Sequence, residues 1–382
     1  MFNDCLIMAG GSGTRLWPAS SSKLPKQFLP ADEKMSFFSM ALERAFSLGE
    51  RVIIITGDSH IPHVIKDADK FTAAQRKRML VIGEPAAKNT AAAVACAVVY
   101  SQHIAKNRNM LVLTSDHIIK PLDSFKSDAA LAAGAASEDK LVVFGIPPVR
   151  PETGYGYIET EKKSYEKNEN VLTVAAFHEK PDIKTAKKYT AAKRFYWNSG
   201  MFAFNTSFIT KQFQLFAPDV YRCFEKQPVP GAKDYTVIKG VKILSRFKGL
   251  ESAYKEAKSI SFDYAIAEKC KNTAMVRVNF DWIDIGNWEE YIKLDRGKPS
   301  DKNDSVKTNK NADFQVFNIE SETCYVDSDI PVALAGVDDL IIVIRSGKNG
   351  EGACALITKK GKAQMVRDIV DKIKKTGRSD LL

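Results

Sequence analysis

The apolar run Leu6-Ile7-Met8-Ala9 stops abruptly at Gly10-Gly11-Ser12-Gly13-Thr14-Arg15. Such a junction reads as a buried strand feeding a loop whose backbone can approach a ligand closely, because glycine has no Cβ to stand in the way. Successive N–H groups in a turn of this kind form an anion-binding concavity, which makes Ala9, Gly10, Gly11, Gly13 and Thr14 the candidate phosphate cradle. Arg15 and Lys26 follow at positions from which their charges reach the same oxygens. The loop is not a P-loop, since Thr14 stands where that motif needs lysine. Nor is it the dinucleotide fingerprint, since Leu16 stands where that motif needs a third glycine. Taken alone, the loop also reads as a tight strand-to-helix turn.

The rest of the chain alternates apolar runs with helical periodicity. Residues 51–57, 80–83, 110–114 and 141–146 read as strands, separated by helices over 37–48, from 89 or 90 to about 105, and up to about 135. Continuous apolar strands alternating with helices predict an α/β fold, a mixed but mostly parallel sheet flanked by helices on both faces. Ligands of such sheets bind beyond the carboxyl ends of the strands. The loop at Gly10, Glu84 and Asp116 all fall there. From Pro147 onward the runs 155–160, 171–177 and 197–205 predict a partly antiparallel extension, with helix over 182–192 and through 207–257 and one more strand at 274–280. The polar segment 296–311 reads as a linker between a catalytic domain (1–295) and a small β-rich domain (312–382). That domain closes with a helix presenting Val366, Ile369, Val370 and Ile373 on one face. No internal repeat is legible.

Composition narrows the class of function. The chain has 56 Lys and Arg against 46 Asp and Glu, a net charge of +10, which suits a phosphorylated small molecule as well as nucleic acid. Because the basic residues are interspersed with acidic ones up to the tail, no nucleic-acid stripe is expected. No apolar run approaches the roughly 20 residues needed to cross a bilayer, so no membrane association is expected. Six scattered cysteines without a C-x-x-C pair read as reduced core thiols, and the expected compartment is the cytoplasm.

Two strand-end carboxylates, Asp116 and Asp284, suit Mg²⁺, which takes a few oxygen ligands together with substrate phosphates and water. Each read singly is equally a helix cap or turn residue. Glu84-Pro85-Ala86-Ala87-Lys88-Asn89-Thr90 could likewise be no more than the cap of the Ala-rich helix. Three further segments mix glycine with amides, carboxylates and aromatics, the types that bind sugar hydroxyls and cover a ring face: Pro151-Glu152-Thr153-Gly154-Tyr155-Gly156-Tyr157, Phe177-His178-Glu179-Lys180-Pro181 and Trp197-Asn198-Ser199-Gly200. His60 and His63, three residues apart and with no third ligand, read as structural.

The string Gly10-Gly11-Ser12-Gly13-Thr14-Arg15-Leu16-Trp17-Pro18, followed by Pro25-Lys26-Gln27-Phe28, resembles the N-terminal signature of the sugar nucleotidylyltransferases. Trp17-Pro18 and Pro25-Lys26-Gln27-Phe28 are most similar to the mannose-1-phosphate guanylyltransferase branch. The order of the later motifs, with Ser261-Phe262-Asp263-Tyr264-Ala265-Ile266 after them, extends the resemblance over roughly residues 1–290. Ser21 stands where the branch has arginine. The resemblance implies a Rossmann-like nucleotide-diphospho-sugar transferase fold. It also implies transfer of GMP from GTP to mannose 1-phosphate, giving GDP-mannose and pyrophosphate, with Mg²⁺ as cofactor. On this reading Thr114-Ser115-Asp116-His117 and Asp281-Trp282-Ile283-Asp284-Ile285-Gly286 are the metal-ligand motifs, with Asp116 and Asp284 as ligands. Glu84, Asn89 and Thr90 belong to the nucleoside loop, Arg15 and Lys26 hold the triphosphate, and Lys180 holds the sugar phosphate. Gly154, Glu179 and Asn198 line the mannose site. A carboxylate at Glu84 would accept both the ring N–H and the exocyclic amine of guanine. A related hexose 1-phosphate or nucleotide, a non-catalytic nucleotide-sugar sensor, and a homodimer stay open at this stage.

Overall fold

The computed structural model describes the whole chain except residues 12, 165–168, 295–306, 309–314 and 348–351. Most of the expected linker 296–311 therefore lies outside the described residues. The described chain forms two compact units. One comprises Met1–Gly10, Met40–Ser115 and Ile119–Trp282, and the other Gly11–Ser39, Asp116–Ile118 and Ile283–Leu382.

In chain order the strands up to Asp284 are β1 (Phe2–Met8), β2 (Gly49–Gly57), β3 (Met79–Glu84), β4 (Asn109–Thr114), β5 (His117–Lys120), β6 (Leu141–Ile146), β7 (Tyr157–Ser164), β8 (Val171–His178), β9 (Phe195–Asn205), β10 (Thr236–Ile238), β11 (Val241–Leu244), β12 (Thr273–Arg277) and β13 (Asp281–Asp284). Eleven of them make the sheet of the first unit, in the order β10-β11-β3-β2-β1-β4-β9-β6-β12-β8-β7. The stretch β11-β3-β2-β1-β4 is parallel throughout. Beyond β4 the antiparallel β9 and the β7–β8 hairpin form the extension, so the sheet is mixed, as its two kinds of apolar run require.

The helix Asn89–Gln102 is buried on every side from Ala91 to Ser101. Its alanines are small enough to let helices 206–216 and 218–225 close over it, and a helix apolar all round is stable only when so enclosed. The expected helix through 207–257 is interrupted by the hairpin β10–β11. Its two-residue turn, Lys239-Gly240, has φ of 52° and 86°, the left-handed pair that a tight hairpin needs. Asp116 is followed by β5, not directly by a helix. The next helix, Leu122–Ala136, is capped at Pro121 and takes no side-chain cap.

The second unit holds β14 (Lys307–Thr308), β15 (Val316–Ile319), β16 (Tyr325–Asp327), β17 (Val332–Ala335), β18 (Leu340–Arg345) and β19 (Cys354–Lys359). Here a repeat does exist. Val316 pairs with Val332 and Tyr325 with Ile341, both in parallel and both sixteen residues apart, so successive coils stack on one another. In this register Val316 meets Val332 but Asn318 meets Leu334, so sequence identity does not reveal the repeat.

The same unit buries Leu16, Trp17, Trp288, Tyr325, Ile341, Val366 and Val370 in one core. Trp17 Nε1 donates to the Leu381 carbonyl at 2.7 Å, and Trp288 Nε1 donates to the Trp17 carbonyl at 3.0 Å. The segment after the glycine-rich loop is thus bonded directly to the C-terminal end. In the closing helix Val366 and Val370 are buried as expected, but Ile369 is 43% exposed. Among the described residues no helix is long and apolar enough to cross a membrane, and no cysteine is in a disulfide.

Candidate active site

In the second unit Gly13 adopts φ +62°, and a Cβ there would run into the side chain of Lys26, so the loop turns back on itself only with glycine at this position. The Ser20 hydroxyl holds the turn by donating to the Gly13 carbonyl at 2.6 Å. Lys26 opens the short turn Lys26–Phe28 and is only 6% exposed. A buried ammonium is tolerated only when paired, and Lys26 Nζ lies 2.7 Å from Asp116 Oδ2 and 3.4 Å from Asp284 Oδ1. His117 Nε2 is 3.7 Å from an oxygen of each carboxylate. Burial alone would push the Asp116 carboxyl up. The Lys26 ammonium, helped by His117, overrides this and holds it well below the usual carboxylate range. Asp116 and Asp284, expected as a pair, therefore converge on a single cation. Arg15 is exposed, with its guanidinium beside Gly286 and no carboxylate partner among the described residues. Thr14 begins the turn Thr14–Leu16, and Gly11 is exposed.

In the first unit β1 delivers Ala9 to a fixed position. Its N–H donates to the Ile55 carbonyl at 2.8 Å and its carbonyl accepts from the Thr56 hydroxyl at 2.9 Å. Gly10 follows, and a Cβ on it would lie 2.6 Å from Glu84 Oε2, so the carboxylate at the end of β3 sits directly against the glycine backbone. Burial pushes the Glu84 carboxyl up to about 7, against a smaller lowering by Tyr254. Glu84 is not the cap of the following helix, whose N-cap is Lys88 with no side-chain cap bond. Asn89 has φ +64° and its Oδ1 accepts from the Thr90 N–H at 2.8 Å. The Thr90 hydroxyl accepts from the Phe262 N–H at 2.7 Å, which ties residues 84–90 to the segment carrying Asp263.

A second cluster of the first unit gathers Glu179, Lys180 and Asn198. Lys180 Nζ is 2.6 Å from Glu179 Oε1, and this bond holds the lysine pKa above its ordinary value. Lys180 itself has φ +44°, a conformation that costs a non-glycine residue of order 1–3 kcal/mol and so needs its surroundings to enforce it. A Cβ on Gly156 would lie 2.6 Å from Glu179 Oε2, and the Gly156 carbonyl accepts from the Asn198 N–H at 2.8 Å. Gly154 stands apart from these groups, exposed, with its N–H on Glu152.

Sequence reasoning did not single out Asp263 as a site residue, although its motif was noted. The structure puts its Oδ1 2.9 Å from Asn198 Nδ2. Burial, and then the nearby Glu179 carboxylate, push it up to about 6. Its position between two polar motifs was the available signal, and its neighbours Phe262 and Ala265, both core residues, obscured it.

Residues 4–299 match the nucleotidyl transferase family. A mannose-1-phosphate guanylyltransferase from Klebsiella pneumoniae is 33% identical over 385 aligned positions, covering 98% of this chain and 74% of the relative. The xanthan biosynthesis protein XanB of Xanthomonas campestris pv. campestris is 30% identical with the same coverage. Among solved structures, one described as mannose-1-phosphate geranyltransferase from Thermus thermophilus superposes with a TM-score of 0.77 at 26% identity, over 98% of this chain and all of that one.

Proposed function

The chain belongs to the nucleotidyl transferase family, and from that premise we propose that it transfers GMP from GTP to mannose 1-phosphate, releasing GDP-mannose and pyrophosphate. The observation that carries the mechanism is the pair of carboxylates, Asp116 and Asp284, that share one cation. Two hard oxygen donors already holding an ammonium between them fit a divalent ion such as Mg²⁺, which binds through one or two carboxylates and completes its shell with phosphates and water. When bound, the metal supplies charge neutralisation at the phosphates.

The sugar phosphate is its own nucleophile. With a second pKa near 6, as in other phosphomonoesters, it is largely ionised at neutral pH and needs no protein base. One of its oxygens forms a bond to the α-phosphorus of GTP. The bond from the α-phosphorus to the bridging oxygen breaks, and pyrophosphate leaves with the electron pair. The chain's task is alignment and charge. Lys26 and Arg15 hold the triphosphate, with backbone groups of Gly11, Gly13 and Thr14. Lys180 draws in the sugar phosphate, and Glu179, Asn198 and Asp263 take mannose hydroxyls. Glu84, close to Ala9 and Gly10, accepts from the N1–H and amine of guanine, which adenine cannot offer. A reaction on these phosphorylated substrates belongs in the cytoplasm.

Measuring pyrophosphate release across GTP, ATP, UTP and dTTP, each with mannose 1-phosphate and glucose 1-phosphate, tests the reading. The GTP and mannose 1-phosphate pair should exceed every other by at least about tenfold in kcat/KM. A faster pair elsewhere in that grid replaces the substrate assignment.

A further inference from the structure

The strand β3 carries Glu84 at its carboxyl end. At its amino end, beside Met79, lies a cavity of about 590 Å³ whose lining includes Arg51, Lys77, Arg78 and Lys242 and no carboxylate. That volume is within the range of small-molecule sites. The two arginines are fixed. Arg51 Nε is bonded to Asp4 Oδ1 at 2.7 Å, and its Nη2 is buried with no hydrogen-bond partner. Arg78 donates from Nε to the Glu50 carbonyl at 2.8 Å and from Nη2 to the Phe46 and Gly49 carbonyls. The two lysines are exposed, and neither has a carboxylate partner among the described residues. Asp4 is neutralised by Arg51 and Arg108 together, and Asp234, whose charge acts on Tyr100 and Tyr235, accepts from the Gly231 N–H at 2.7 Å.

The other part of the wall is aromatic. Tyr100 stands edge-on to His103 with ring centroids 5.4 Å apart, and Lys242 Nζ lies 3.9 Å from the centre of the Tyr235 ring. Two lysines without carboxylate partners among the described residues call for phosphate oxygens, and the Tyr235 ring calls for a planar ring. A bare phosphate would leave the aromatic wall unused. We propose that this cavity is a second nucleotide site, taking a nucleoside diphosphate with its phosphates on Lys77 and Lys242 and its base over the Tyr235 ring, in the place Lys242 Nζ occupies without ligand. It is separate from the substrate site. Met79 in its wall and Glu84 are five residues apart on one strand, about 16 Å at 3.3 Å per residue.

Isothermal titration of the full chain with GDP, and separately with inorganic pyrophosphate, tests the proposal. The double variant Lys77→Glu, Lys242→Glu should lose one component of the GDP isotherm, or weaken it at least tenfold, while kcat/KM for turnover stays within about twofold. Both side chains are exposed, so folding is not at stake. Superimposable GDP isotherms for wild type and double variant overturn the site, whatever binds elsewhere on the chain. Tyr235→Leu, which leaves the charge unchanged, should weaken that GDP component at least fivefold and leave pyrophosphate unaffected. If it changes neither ligand, or both alike, the nucleoside part of the assignment fails.

Discussion

Replacing Glu84 by glutamine should stabilise the ligand-free protein at alkaline pH while impairing its use of GTP. Burial at the end of β3 raises this carboxyl from its ordinary 4.5 to about 7. At about 1.4 kcal/mol for each pH unit, ionising it in the folded state costs roughly 3 kcal/mol. The sign follows from proton counts. Below pH 4.5 the group is protonated in both folded and unfolded chains and contributes no difference. Between 4.5 and about 7 the unfolded chain has released a proton that the folded chain still holds, so stability falls as pH rises. Above 7 the full cost is present. Glutamine has the same shape and no charge to bury, so it escapes that cost. Urea unfolding of both proteins without ligand should give similar midpoints at pH 4.5 and a higher midpoint for Glu84→Gln at pH 8.5. With a slope of about 3 kcal/mol per molar urea, the separation would be about 1 M. The same variant should lose kcat/KM for GTP strongly and narrow the GTP-to-ATP ratio. A parallel pH dependence in the two proteins would refute the argument, because it would mean that Glu84 is solvated and free to ionise.

Asp284→Asn should lower kcat by about a thousandfold with the fold unchanged by circular dichroism, since a lost metal ligand removes several kcal/mol of charge stabilisation; near-normal turnover at saturating Mg²⁺ would sink the metal assignment. Lys180→Ala should raise the KM for mannose 1-phosphate far more than that for GTP, and an effect confined to GTP would move the lysine to the nucleotide side. Gly13→Ala, forced to φ +62° with its methyl on Lys26, should destabilise the protein by about 2 kcal/mol or more in urea titration; an unchanged midpoint would mean that the loop relaxes freely.

The α/β layering was legible because the runs at 51–57, 80–83, 110–114 and 141–146 are continuous and apolar, and only a sheet covered on both faces buries such runs. The hairpin at Lys239-Gly240 was not, because its strands are short, Val237 and Ile238 are largely exposed, and flanking helical periodicity masks them. The carboxylate pair could be named from strand ends and a family resemblance. What no pattern disclosed was the lysine between them. Lys26 and Asp284 are 258 residues apart in the chain, and their contact depends on a turn that only Gly13 permits. Asp263 was hidden for a related reason, since its role depends on Asn198 and Glu179, which reach it only through the folded β9 and the loop after β8. The bonding of Trp17 and Trp288 to each other and of Trp17 to Leu381 joins the two ends of the chain, a relation that local periodicity does not carry.

The central claim is that the sugar phosphate attacks the α-phosphorus of GTP and displaces pyrophosphate. Mannose 1-phosphate carrying ¹⁸O on its non-bridging phosphate oxygens, incubated with unlabelled GTP and the protein, tests it directly by mass spectrometry of the products. The account predicts pyrophosphate with no ¹⁸O and GDP-mannose that retains every labelled oxygen, one of them bridging the two phosphorus atoms. Release of GMP or of orthophosphate in place of pyrophosphate, or ¹⁸O in the pyrophosphate, would contradict it.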